Sequence, residues 1–114
     1  MHISANVIVH SALTIEQVGE AISKGLLGGV PFVGRDEYLR DEVPAIRSES
    51  EIFGLRVLVQ GHGGESGYAL EIYPKHSNDP AFQVKGPEDE VDLSSYVASL
   101  LARIPGIAVM PAST

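Results

Sequence analysis

The fold is decided by residues 54–74, which read GLRVLVQGHGGESGYALEIYP. Apolar residues recur at every second position before the glycine-rich break, and the same alternation returns after it. A period of two is typical of a strand with one buried face, and glycines between two such runs are typical of a hairpin turn. The stretch therefore predicts two antiparallel strands, at 55–60 and 68–73.

Apolar runs on both sides of this hairpin predict the rest of a sheet. Residues 3–10 alternate in the same way, with Ile3, Ala5, Val7 and Val9 on one face. Shorter strands are predicted at 45–53, 82–85 and 107–110, and residues 30–33 could add a short edge strand. The strand at 30–33 is expected at the sheet edge, because Pro31 has no amide hydrogen for a ladder bond.

Two amphipathic helices are predicted. The first spans about 15–27, with Thr14 as N-cap, Gln17 completing a capping box and Gly28 following the end. The second is capped by Asp92 or Ser94 and stops at Pro105. One apolar stripe on each helix suffices to cover one face of the sheet. The predicted fold class is α+β: a two-layer sandwich of a mostly antiparallel sheet with two helices on one face, in the order β-α-β-β-β-β-α-β.

Length and composition indicate a single domain, residues 1–114, with one core. Hydrophobic residues make up 44% and charged residues 20%, as in globular proteins. The sequence has no Cys, which fits a reducing compartment, and we expect the cytoplasm. No apolar run approaches the roughly 20 residues that cross a bilayer, so no membrane association is expected.

The net charge of −7 favours a basic partner. Like-charge repulsion disfavours binding to nucleic acid and to anionic lipid. The alternative, that the negative charge only keeps the protein soluble, stays open.

The glycine-rich segment 61–67 differs from known reactive loops. It lacks the Gly-Lys-Ser/Thr ending of a phosphate-binding loop, and a strand is predicted where such a loop needs a helix. Ser66 lacks the second glycine of a nucleophile elbow. A hairpin turn is the favoured interpretation of the segment.

The four histidines, His2, His10, His62 and His76, show no spacing that would place two imidazoles on one metal. Neither a metal nor another cofactor is expected. His62 with Glu65, or His76 with Asp79, could perform acid–base chemistry if a cleft held them, and a small enzyme using His62 and nearby acids is one alternative function.

The acidic residues are unevenly distributed. Two stretches hold ten of the fifteen acids: Asp36, Glu37, Asp41, Glu42, Glu49 and Glu51, then Glu88, Asp89, Glu90 and Asp92. The second stretch also suits a helix N-terminus, where carboxylates are favoured. The first contains Tyr38, and an aromatic residue among charges is typical of interfaces. The predicted partner-binding residues are Asp36, Glu37, Tyr38, Asp41, Glu42, Glu49 and Glu51.

Three segments carry a resemblance to a family: FVGRDEYLRDEVPAI (32–46), GLRVLVQG (54–61) and GYALEI (67–72). In organisation the chain resembles the immunity proteins of polymorphic and contact-dependent growth inhibition toxins of bacteria. The resemblance implies a cytoplasmic, non-catalytic protein that binds the toxic domain of its cognate effector, often a nuclease. No site residue is transferred from the family by position.

The expected function is therefore that of an immunity protein, whose acidic surface occupies a basic toxin domain. Besides the enzyme alternative, a homo-oligomeric adaptor domain is a further hypothesis. Its basis is the apolar segment 30–33, which could pair between subunits.

Overall fold

The computed structural model describes residues 2–36, 43–74 and 90–111. In these residues a sheet of seven strands carries two helices, which confirms the predicted α+β class. The strands are β1 (His2–His10), β2 (Phe32–Asp36), β3 (Ala45–Ser48), β4 (Leu55–Gln60), β5 (Tyr68–Pro74), β6 (Glu90–Asp92) and β7 (Ala108–Pro111). The helices are α1 (Ile15–Leu26) and α2 (Ser94–Leu101). Neither of these helices has the length and apolar character needed to cross a membrane.

The sheet is antiparallel except at one pairing. Its order is β2-β3-β4-β5-β1-β6, and β7 also pairs with β1. The outer edge of β1 is divided, since its first residues pair with β6 in parallel and its last residues pair with β7 in antiparallel orientation. β1 is therefore an interior strand, which lies next to the edge formed by β6 and β7.

The predicted order needs one correction among the described residues. In the described residues five strands lie between the helices, where the predicted order has four, and the short strand β6 (Glu90–Asp92) was not predicted. The bounds of two strands also differ from the prediction. Strand β2 starts later, at Phe32, and strand β3 ends earlier, at Ser48. The strand predicted at 82–85 lies outside the described residues.

Helix α1 begins as its sequence predicts. The Thr14 hydroxyl accepts the Gln17 amide at 3.2 Å, and the Gln17 side chain accepts the Thr14 amide at 2.9 Å. These two bonds satisfy N–H groups that have no partner within the helix. Gly19 lets the helix approach the sheet, because an added Cβ would collide with Ile46.

Both helices lie on the same face of the sheet and enclose one core. Fully buried core side chains come from β1, β4, β5, α1 and α2, and include Val7, Val59, Leu70, Ile22 and Leu101. The opposite face carries Arg47, Arg56, Glu71 and Tyr73, which alternate with the core residues. The molecule is thus a two-layer sandwich whose helical layer covers one side.

The strand registers define two ends of the sheet. One end holds the loop from Gly61 to Gly67 and the N-terminus of α1, and we call it the groove end. The opposite end holds the loop from Glu49 to Gly54 and strand β6, and we call it the acidic end. The pairings Leu55 with Pro74 and His2 with Glu90 bring β4, β5, β1 and β6 together at the acidic end.

Candidate protein-binding surface

Two of the predicted partner-binding residues lie in the loop at the acidic end. Glu49 is exposed and Glu51 is half-buried. The loop follows β3, and its start is fixed by a bond from the Glu49 amide to the Pro31 carbonyl at 2.8 Å. Both residues therefore stand beyond the last paired residues of β3.

The second run of acids reaches the same end of the sheet. In β6, Glu90 pairs with His2 and Asp92 with Ser4, and both acidic residues are exposed. Four strand spacings separate β3, which Glu49 follows, from β6, and this corresponds to about 19 Å. The structure thus gathers Glu49, Glu51, Glu90 and Asp92 at one end, although two different parts of the sequence supply them.

Asp36 lies elsewhere. It is the last residue of β2 and pairs with Ala45, at the groove end of the β2–β3 ladder. Phe32, at the other end of that ladder, pairs with Ser48, immediately before Glu49. Four residues of extended chain separate the two ends of β2, a distance of about 13 Å. The remaining predicted residues, Glu37, Tyr38, Asp41 and Glu42, lie outside the described residues, as do Glu88 and Asp89.

Asp92 also has a structural role. Its carboxylate accepts bonds from both the amide and the hydroxyl of Ser94, and the Ser94 hydroxyl oxygen in turn accepts the Asn6 amide at 2.8 Å. The hydroxyl and amide bonds from Ser94 lower the pKa of Asp92 below its ordinary value, because they stabilise the charged form. This short network joins the start of α2 to β1.

Ser48 explains where β3 ends. It is only 1% exposed, and its hydroxyl accepts the Val57 amide at 3.1 Å, in place of a backbone carbonyl. The side chain thus satisfies an N–H group of β4 where the main chain of β3 departs. The departing chain forms the loop that carries Glu49 and Glu51.

A turn at the tip of this loop leads into β4. Ile52 and Leu55 exchange two backbone bonds, of 2.8 and 2.9 Å, across Phe53 and Gly54. Both central residues have positive φ, 53° at Phe53 and 77° at Gly54. The Phe53 side chain is 99% exposed. An aromatic ring therefore projects from the acidic end into solvent.

A groove of about 470 Å³ lies at the groove end, between the N-terminus of α1 and the glycine-rich loop. Its hydroxyl groups are already engaged in structural bonds. Tyr68 donates to the Leu13 carbonyl at 2.8 Å, Ser11 donates to the Gly106 carbonyl at 2.7 Å, and Thr14 caps α1. These three hydroxyls hold the loop and the helix in place.

The groove does contain ionisable groups. His62 and Glu16 both line it and both are exposed. The glycine-rich segment forms one 3-10 turn, Gly64–Ser66, followed by β5, as the hairpin interpretation predicts. Among the described residues no group of three or more His, Asp or Glu side chains could hold a metal ion. His76 and Asp79 lie outside the described residues.

The sheet face opposite the helices is partly closed to solvent. Ala45, Leu58 and Gln60 on this face are 0%, 8% and 6% exposed. The Gln60 Oε1 and Arg56 Nε atoms are buried and have no hydrogen-bond partner within the described part of the chain. On this face Glu71 and Tyr73 are half-buried, whereas Glu49, Glu90 and Phe53 at the acidic end are exposed.

Comparison with known proteins gives no assignment. No family model matches the chain, and no curated protein or solved structure matches it either. The fold and the site define a small α+β domain with an acidic end. Any function must be argued from those residues.

Proposed function

We propose that this chain is a cytoplasmic immunity protein, which binds and neutralises a basic bacterial toxin domain through an acidic surface. The observation that carries the proposal is that the exposed Glu49 and Glu90 lie at one end of the sheet, together with Glu51, which is half-buried and has its Oε1 atom buried. These acids come from separate parts of the sequence, and pairing of the strands brings them to one end. A clustered negative surface attracts a basic protein and accelerates its association.

One feature of the acidic end supports protein binding over a purely solubilising role. Glu49 and Glu51 precede an exposed aromatic ring in the same loop, and interfaces combine aromatic residues with a charged rim.

Coexpression tests the proposal. The chain would be produced together with the C-terminal domain of a secreted effector encoded directly beside it. We expect growth to be restored and a stable complex to be isolated from the cells. Full toxicity, combined with no complex between the purified proteins at about 10 μM, would reject the proposal.

One observation favours a second candidate, a small enzyme: the groove holds His62 and Glu16 along its wall. The exposure of both groups argues against it, since catalytic groups work best where water is excluded. Replacement of His62 by alanine separates the two candidates. Unchanged protection of cells by the His62→Ala protein agrees with inhibition, whereas loss of protection in a folded protein with normal toxin affinity supports a catalytic role.

A further inference from the structure

Phe53 occupies a backbone conformation that suits few residues. The turn at Phe53 and Gly54 has two central residues with positive φ, as in the type I′ hairpin turn. Asn-Gly is the preferred pair for this turn, because asparagine and glycine tolerate the left-handed region. Phe53 is the only residue other than glycine with positive φ among the described residues.

The conformation is not compensated by packing. A phenylalanine is normally retained at an unfavourable position because its ring fills the core, but the Phe53 side chain is 99% exposed. For comparison, the other exposed large apolar side chains that the structure describes, Val33 and Tyr96, are 40% and 64% exposed. The backbone conformation of Phe53 is therefore unfavourable, and burial of its side chain within this chain does not offset that free energy. Such an outlier suggests that the residue serves a partner.

The surroundings of the ring indicate what kind of partner it fits. Glu49 and Glu51 precede it in the same loop, and the exposed Glu90 lies at the same end of the sheet. A lipid surface with anionic headgroups would be repelled by these carboxylates, and so would the same end of a second copy of the chain. A basic protein surface would be attracted.

We propose that Phe53 is the anchor of the interface: its ring inserts into an apolar pocket of the basic partner protein, while the surrounding acids contact the rim. This inference rests on the proposed function and adds the residue that carries the affinity. Aromatic anchors in water-free pockets dominate the affinity of many interfaces, and a charged rim mainly increases the rate of association. The two-residue turn fixes the backbone at Phe53 before binding, which reduces the backbone entropy lost on association.

The decisive variant is Phe53→Asn. It converts the turn to the preferred Asn-Gly pair and leaves the backbone and the acids in place. We expect two opposite effects: a thermal unfolding midpoint higher by about 4 °C, and a dissociation constant for the purified, catalytically inactivated toxin domain raised at least ~10-fold. Tyr96→Ala removes the exposed aromatic ring of α2, and this control is expected to bind as tightly as the wild type.

Phe53→Trp supplies a direct reporter, because the chain has no tryptophan. Addition of the inactivated toxin domain should shift its emission to shorter wavelength, as the ring leaves water. If the toxin domain causes no shift, two other results would overturn the inference. A shift on adding phosphatidylglycerol vesicles would assign the ring to a membrane surface. A shift on concentrating the protein alone would assign it to self-association.

The two proposals fail in different ways. If the wild-type chain binds the toxin domain and Phe53→Asn binds it equally well, the anchor is wrong and the immunity function stands. If the wild-type chain does not bind the toxin domain at all, the proposed function fails and the anchor fails with it.

Discussion

Asp36 and Glu49 lie at opposite ends of the β2–β3 ladder, although both belong to the same acidic stretch of the sequence. Asp36 pairs with Ala45 at the groove end, and Glu49 follows Ser48 at the acidic end. Glu49 shares its end of the sheet with Glu90, from a distant part of the chain. Strand pairing, and not position in the sequence, therefore decides which acids lie at the same end of the sheet.

The glycine-rich loop yields a first prediction. Gly67 has a φ of 69°, and an added Cβ would lie 2.6 Å from the Val9 carbonyl oxygen and 3.0 Å from the His10 Nδ1. Gly64 has nearly the same φ, 68°, but nothing within 4 Å. We expect Gly64→Ala to lower the free energy of unfolding by about 1 kcal/mol through the backbone alone, and Gly67→Ala to cost at least about 2 kcal/mol more. Urea unfolding of both variants checks this, and equal losses would contradict the described contact.

Ser48 yields a second prediction. Ser48→Ala removes the acceptor of the buried Val57 amide and should lower the free energy of unfolding by about 1–3 kcal/mol. Ser99, on the exposed side of α2, is the matched control, and its replacement by alanine should change stability by no more than about 0.5 kcal/mol. Chemical denaturation distinguishes the two. If Ser48→Ala were as mild as Ser99→Ala, the hydroxyl would not hold the end of β3.

The pH dependence of stability yields a third prediction, at Asp92. Because its pKa is lowered in the folded state, its stabilising contribution is complete above the ordinary aspartate pKa of 3.8 and is lost as the pH falls through the folded pKa. Asp92→Asn keeps an acceptor oxygen but has no charge to titrate. The thermal midpoint of the wild type should therefore exceed that of Asp92→Asn near neutral pH, and the gap should shrink in acid. A gap that is independent of pH would mean that the bonds from Ser94 do not favour the carboxylate.

Much of the fold follows from local pattern. Alternation of apolar residues predicted β1, β4 and β5 closely, and the Thr14–Gln17 capping box marked the start of α1 correctly. The strand signal is strong because a strand with one buried face has apolar residues at every second position. The helix signal is strong because only a few residue types can form a capping box. The same reasoning placed both helices on one face.

Other elements depend on contacts that a local pattern does not contain. Strand β6 has three residues, two of them acidic, and it forms because β1 offers a free edge for parallel pairing. The edge strand was predicted only to residue 33, yet β2 also includes Arg35 and Asp36, since an edge strand tolerates charge. The early end of β3 depends on the Ser48 side chain, which long-range pairing positions.

The candidate site was only partly predictable for the same reason. Sequence clustering identified Glu49 and Glu51, but it grouped them with Asp36 and not with Glu90. Phe53 was not among the predicted partner-binding residues, because Phe-Gly is not the usual pair for a tight hairpin turn and its exposure depends on the turn geometry.

The association rate constant with the toxin domain tests the central claim, that the acidic end meets a basic partner. Glu49→Lys with Glu90→Lys reverses two exposed acids at that end, and Glu16→Lys with Glu20→Lys makes the same charge change on α1, where both acids are also exposed. At low salt we expect the first pair to slow association by about 10-fold or more, and to flatten its dependence on salt up to about 0.15 M, while the second pair stays close to wild type. Equal rates for the two pairs, whether both slowed or both unchanged, would contradict the account.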